Sequence, residues 1–356
     1  MSAGFKLISW TPYKKRYDAV LAASIVLFIV SFYAASKLVH RGQHVISDEI
    51  LIIRALGACG IVMLHVILCI GPLARLSPRF LPLLYNRRHF GVMMFFVALA
   101  HAIVAIGFYH GFGTISPIKS LLTSNTQYGS VSAFPFEMLG VGALLILLAM
   151  AATSHDFWLH KLSPRVWKTL HMGVYLAWAL LIGHVALGAM QSERSNIYPI
   201  LLGIGVIVVS ALHIVAGRRE LRHDQSAKPA SGWIDVCAAD DIADSRGKVV
   251  TISNHERMAI FRYGDQLSAI SNVCAHQGGP LGEGRIIDGC VTCPWHGYQY
   301  RPGDGCAPPP FTEKLPTYAI RVEDGRVLVN PEPLAPGTFV EPARAHSRSR
   351  EVAYAC

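Results

Sequence analysis

Six apolar runs fill most of the first 216 residues and restrict this chain more than any other feature. They cover Ala19–Ser36, Ile50–Ile70, Phe90–Tyr109, Phe134–Ala152, Met172–Met190 and Ile197–Ala216. Each approaches the roughly 20 helical residues that cross a hydrocarbon core of about 30 Å. A backbone in lipid must satisfy its own hydrogen bonds, so these runs are expected as six transmembrane helices. Breaks such as "IGPLARLSPRFLP" and "LSPRVWK" separate them. Composition agrees, with 52% hydrophobic and only 15% charged residues. Ordinary soluble domains carry about 25% charged residues.

Cationic residues orient the helices. Lys14, Lys15, Arg16, Arg75, Arg79, Arg87, Arg88, Lys161, Arg165, Lys168, Arg218, Arg219 and Arg222 fall on one side. The opposite loops hold Lys37, Arg41, Lys119 and Arg194. Both termini are therefore expected in the cytoplasm, with the chain multi-pass in the cell inner (cytoplasmic) membrane and lipid as a partner. Basic loops of this kind account for the net charge of +9, so no nucleic-acid partner is expected. The opening "MSAGFKLISWTPYKKRYDAV" lacks a small-residue cleavage site and reads as retained. The expected organisation is a cytoplasmic N-terminal segment at 1–18, a helical domain at 19–216 and a linker at 217–231. A small domain at 232–330 and a Pro-, Ala- and Arg-rich disordered tail at 331–356 follow.

Ionisable residues inside a span are costly without a task or a partner. Here His65 lies in the second run, His89 and His101 at the start and middle of the third, and His171 and His184 in the fifth. Neutral imidazole is an axial ligand of haem, and two histidines on one iron suit electron transfer. The twelve- and thirteen-residue separations within the third and fifth runs correspond to about 18–20 Å of helix rise. That leaves room for two haems.

"LPLLYNRRHFGVMMFFVALAHAIVAIGFYHG" and "WKTLHMGVYLAWALLIGHVAL" carry a family likeness. Together they resemble the ferric reductase-like transmembrane domain, over about residues 45–216. The resemblance implies one or two b-type haems held by His101, His184 and His171. His89 is the expected fourth ligand, with His65 as the alternative to His89. Relatives of this type include oxidases with flavin and nicotinamide modules. No Gly-rich dinucleotide fingerprint is found downstream, so another electron entry is expected.

Beyond the helices, "VVTISN", "MAIFRYG", "LSAISN", "GCVTC", "AIRVEDG" and "VLVNP" read as short strands of a small all-β domain. Its turns carry Cys274-Ala-His276 and Cys293-Pro-Trp-His296. A zinc site usually draws on Cys-x2-4-Cys and His-x3-5-His pairs. One Cys and one His per loop suits a two-iron cluster with unequal irons better, although zinc remains an alternative on spacing alone. The two loops resemble those of the Rieske [2Fe-2S] domain. That resemblance implies Cys274 and Cys293 on one iron, with His276 and His296 on the solvent-facing one. Gly279 and Trp295 stand where cytochrome bc relatives have a second cysteine pair. Tyr298 replaces a serine and Tyr300 keeps an aromatic, which implies a potential in the lower part of the Rieske range, nearer about −150 mV.

The expected function is therefore membrane-bound transfer of single electrons by an oxidoreductase component that needs a separate reductase. A cytosolic NAD(P)H-dependent ferredoxin reductase or similar donor would supply them. A quinone, ferric iron or a periplasmic redox protein would accept them. Alternatives are flow from quinol through haem to the cluster and a cytosolic enzyme, or a redox sensor without turnover.

Overall fold

The computed structural model describes residues 12–39, 46–84, 86–154, 158, 162, 164–191, 196–225, 232–253, 256–276, 278–295 and 297–345. His296 and the chain beyond residue 345 lie outside the described residues.

The helical part is built from α1 (Pro12–Val39), α2 (Asp48–Leu76), α3 (Arg87–His110), the short α4 (Pro117–Thr123), α5 (Glu137–Thr153), α6 (Pro164–Leu187) and α7 (Ile197–Gln225). Among the described residues five helices are long and apolar enough to cross a membrane, namely α1, α2, α3, α6 and α7. The sixth expected span, α5, has only 17 residues. At 1.5 Å per residue it rises about 26 Å, slightly less than the hydrocarbon thickness. Pro135 lies ahead of its first turn, so the helix begins at Glu137 rather than Phe134.

The helices pack through one apolar core that includes Leu64, Met94, Phe95, Ala143, Leu147 and Ala177. Their outward faces are apolar too: Leu27 is 66% exposed, Ile103 62% and Ile207 67%. A helix in water hides that stripe, whereas one in lipid presents it. The chain is thus a multi-pass membrane protein.

Two edges of this part differ from expectation. Pro12 opens α1, so residues 12–18 are helical rather than part of a separate segment; proline is favoured in the first turn, where its missing N–H costs nothing. At the other end α7 continues to Gln225, through residues assigned to the linker. "RRELRHDQ" contains no glycine or proline to stop it and is rich in good helix formers.

The C-terminal part is all-β: β1 (Ile234–Ala238), β2 (Gly247–Ser253), β3 (Glu256–Tyr263), β4 (Gln266–Ser271), β5 (Arg285–Ile287), β6 (Cys290–Thr292), β7 (Gln299–Tyr300), β8 (Thr317–Tyr318), β9 (Ile320–Glu323), β10 (Arg326–Val329) and β11 (Ala343–Arg344). One antiparallel sheet orders β11-β4-β3-β2, with β8 also on β4. A second orders β1-β10-β9, and a small third sheet β5-β6-β7. Alternation along β3 and β4 buries Met258, Ile260, Leu267 and Ala269 in one core, and Phe261 and Ile270 in another.

Residues 331–345 do not form the disordered tail that composition predicts. Leu334 N–H donates to Thr317 O at 2.9 Å, and Val340 N–H to Gly303 O at 2.8 Å. β11 then pairs with β4, and Ala345 is buried. Proline-rich composition describes a segment with little local preference. Here an open strand edge supplies the partners that local sequence lacks.

Candidate redox centres

In the helical part, the structure brings His101 and His184 together. Their ring centroids are 6.3 Å apart and their planes are nearly perpendicular, at 86°. Two imidazoles bound to one metal from opposite sides, each by a bond of about 2 Å, hold their ring centres about 6 Å apart. The pair therefore fits a bis-histidine haem.

Each ring is held in the same way. His101 Nδ1 donates to Ile53 O on α2 at 2.9 Å, and His184 Nδ1 donates to Phe136 O at the start of α5, also at 2.9 Å. This fixes the proton on Nδ1 and leaves the Nε2 lone pair for a metal. In both cases the acceptor lies 48 residues earlier in the chain. Four residues after each acceptor stands a glycine, Gly57 or Gly140. A Cβ at Gly57 would lie 3.0 Å from His101 Cε1, and one at Gly140 would lie 2.9 Å from His184 Cε1. The α2–α3 and α5–α6 pairs thus repeat one solution: a carbonyl orients the imidazole, and a glycine one turn further on makes room for it. The repeat extends to "HFGV" at 89–92 and "HMGV" at 171–174, whose glycines face Ile67 and Ile146.

The other expected haem-ligand histidines differ. His171 Nδ1 donates to Trp167 O at 3.0 Å, the Trp167 ring stacks on it at 3.8 Å, and Ser154 Oγ lies 3.4 Å from its Nε2. His89 Nδ1 meets the carboxylate of Asp18, at 2.9 Å from Oδ1 and 3.1 Å from Oδ2. His65 uses both ring nitrogens within the protein: Nδ1 donates to Ile61 O at 2.8 Å, and Nε2 accepts from Trp178 Nε1–H at 3.3 Å.

In the β part, two loops carry the other expected ligands. The first follows β4 and the second joins β6 to β7. Gly278 N–H donates to Cys274 O at 2.7 Å, and Cys274 N–H donates to Gly279 O at 2.9 Å. The second loop repeats this, with Gly297 N–H to Cys293 O at 2.9 Å and Cys293 N–H to Tyr298 O at 2.8 Å. Gly278 and Gly297 both have φ of +72°. A side chain would strain that left-handed turn. Asn272 braces the first loop, its Oδ1 accepting from Gly282 N–H at 2.7 Å and its carbonyl from Leu281 N–H at 2.8 Å.

Both cysteines are buried, Cys274 at 2% and Cys293 at 1% exposure. A Cβ on Gly279 would lie 2.7 Å from Cys293 Sγ, so the thiol keeps open space beside it. Tyr300 Oη lies 3.3 Å from Cys274 Sγ and accepts from His276 N–H at 3.2 Å. Burial, then the neighbouring Cys274, pushes the Tyr300 phenol well above its ordinary range, so it keeps its proton to donate to sulfur. The Tyr298 ring lies parallel to His276 at 4.7 Å, and its hydroxyl donates to Glu313 rather than toward the thiols. Burial, then that hydrogen bond, also raises the Tyr298 pKa. Among the described residues no three acidic, Cys or His side chains gather around one point. His296, the fourth expected ligand, lies outside those residues.

Comparison with known proteins decides between the metals left open by spacing. The Rieske [2Fe-2S] domain family matches residues 232–319, and the ferric reductase like transmembrane component family matches residues 52–182. The anthranilate 1,2-dioxygenase ferredoxin subunit of Burkholderia cepacia is 37% identical over 28% of this chain and 91% of its own length. The chain belongs to the Rieske [2Fe-2S] family. Ahead of the Rieske domain it carries a ferric reductase-like transmembrane domain. The ferredoxin component of an alkene monooxygenase system from Xanthobacter autotrophicus is 34% identical over 29% of this chain and 84% of that protein. The protein-methionine-sulfoxide reductase heme-binding subunit of Caulobacter vibrioides is 28% identical over 47% of this chain and 73% of that subunit. The Rieske domain implies a [2Fe-2S] cluster, and the haem-binding relatives imply haem b. The chain is a membrane electron-transfer component.

Asp18, Gly57, Gly140, Trp178 and Asn272 were not legible as site residues. One signal for the glycines was present, since "HFGV" and "HMGV" announce a repeat whose partner helices can be aligned.

Proposed function

We propose that this chain moves single electrons from a cytosolic donor, through its Rieske domain and then its haem-type helices, toward a quinone, ferric iron or a periplasmic protein. In this reading both termini and the Rieske domain are cytoplasmic, and the protein lies in the inner membrane. The carrying observation is the 6.3 Å spacing of His101 and His184, each with Nδ1 already committed to a carbonyl, in the same chain as the two cysteine loops. When bound, the cluster and haem supply one-electron storage sites.

The chain's own residues decide where those sites are and how they behave. Cys274 and Cys293 would hold the cluster through thiolates, with His276 and His296 as the imidazole donors. His101 and His184 would hold one haem, and His171 with His89 the other. His65 is the less favoured partner for His171, because Trp178 already donates to its Nε2. The dioxygenase and monooxygenase ferredoxins among the relatives support a separate NAD(P)H-dependent reductase as the donor.

The test uses purified full-length protein under anaerobic conditions, with NADH and a ferredoxin reductase of the dioxygenase type as the probe. Haem absorbance should shift to the reduced form in wild type. Cys293→Ser, which retains the haems, should lose that reduction by at least tenfold in rate. Equal rates in the two proteins would overturn the proposed entry point.

A further inference from the structure

His101, His184, His171 and His89 each have Nδ1 hydrogen-bonded to an acceptor, but the acceptors are not alike. Those of His101, His184 and His171 are neutral backbone carbonyls of Ile53, Phe136 and Trp167. That of His89 is a carboxylate, Asp18 on α1, shared between Oδ1 and Oδ2 at 2.9 and 3.1 Å. The Asp18 side chain is 19% exposed and that of His89 is 30% exposed, so water screens the pair only in part.

A carboxylate can only accept, so the shared proton sits on His89 Nδ1, and Nε2 is the nitrogen through which His89 would meet a metal. Drawing that proton toward an anion increases the basicity of the ring and makes it a stronger donor to a metal. A stronger, more anionic ligand favours the ferric state over the ferrous and moves the potential negative. A carbonyl does the same less strongly, because it carries no net charge.

We propose that Asp18 is a positioning residue that makes the His89 haem the more reducing of the two, relative to the haem of His101 and His184. The proposal rests on the reading of His89 as an axial ligand. Arg87 and Arg88 directly precede His89 in the chain, and positive charge there would act in the opposite sense, favouring a reduced haem. Both are retained in every variant below, so their effect cancels in the differences. The resulting gradient runs from the basic end of α3 toward its middle, the sense needed for electrons that enter from the cytoplasm.

The experiment is anaerobic potentiometric titration of haem absorbance in the full-length membrane protein, with haem content measured alongside. Asp18→Asn should keep the wild-type haem content, shift one midpoint to a more positive value and leave the other in place. The shifted midpoint should be the one missing from His89→Ala. Unchanged midpoints in Asp18→Asn, with haem lost from His89→Ala, would overturn the tuning role alone. Full haem content in His89→Ala would instead remove the ligand reading beneath it. If Asp18→Asn loses haem, Asp18→Glu decides. Retained haem with a wild-type midpoint supports the carboxylate's role, and loss of haem with a carboxylate present overturns it.

Discussion

The helical part and the Rieske domain each use one local design twice, yet they do so over different distances along the chain. In the Rieske domain the contacts that shape each loop lie four and five residues from the cysteine, in Gly278 and Gly279 and again in Gly297 and Tyr298. In the helices the carbonyl that orients His101 or His184 lies 48 residues away, on another helix for Ile53 and at a helix N-cap for Phe136. A loop can therefore be recognised from a single short string. A helical site becomes visible only after two spans have paired.

Removing a ligand gives the largest test of that contrast. Cys293→Ser should abolish the electron paramagnetic resonance signal of the reduced cluster while haem absorbance stays at the wild-type level. Loss of both signals would mean that the two parts do not load independently. In the helices, His184→Ala should lose one haem equivalent by pyridine haemochrome assay. His65→Ala should retain the full complement, since His65 Nε2 is taken by Trp178. A haem loss in His65→Ala would reverse the assignment between His65 and His89.

Crowding a ligand comes next. A methyl group at Gly279 would sit 2.7 Å from Cys293 Sγ, against 2.9 Å from His184 at Gly140 and 3.0 Å from His101 at Gly57. Overpacking of this kind costs about 1–3 kcal/mol. Cluster occupancy in Gly279→Ala should fall most, followed by haem occupancy in Gly140→Ala and then Gly57→Ala. Equal haem loading in all three would break the idea that the helical glycines are there to admit an imidazole.

The smallest expected effect is on tuning alone. Tyr300→Phe removes the hydroxyl beside Cys274 and His276 N–H without changing the shape of the core. The cluster should remain and its midpoint should move negative, by roughly 60 mV if the lost hydrogen bond is worth about 1.4 kcal/mol. Tyr298→Phe should shift it less, because that hydroxyl is directed to Glu313. Protein film voltammetry would rank the two, and a larger shift for Tyr298→Phe would contradict the geometry.

Much of the architecture could be read from the chain alone, because apolar runs of membrane length have few alternatives in lipid. The same reasoning misjudged segments whose order depends on distant partners. Residues 331–345 have the composition of a tail, but the edge of β4 and the carbonyls of Thr317 and Gly303 order them. "RRELRHDQ" looks like a linker because it is charged, yet α7 runs through it because charge does not break a helix.

Sequence by itself determined the membrane helices, the all-β domain and the pair of cysteine-histidine loops, since periodicity, length and close spacing are local properties of a chain. It also marked which histidines are too costly to be incidental. Only the tertiary structure decided how they differ: His101 and His184 face one another, His65 is held by Trp178, and His89 is held by Asp18. For His101, His184 and His89, which nitrogen of the imidazole carries the shared proton, and whether its acceptor is charged, depends on groups tens of residues away. That choice is made when helices pack, and no spacing along the chain records it.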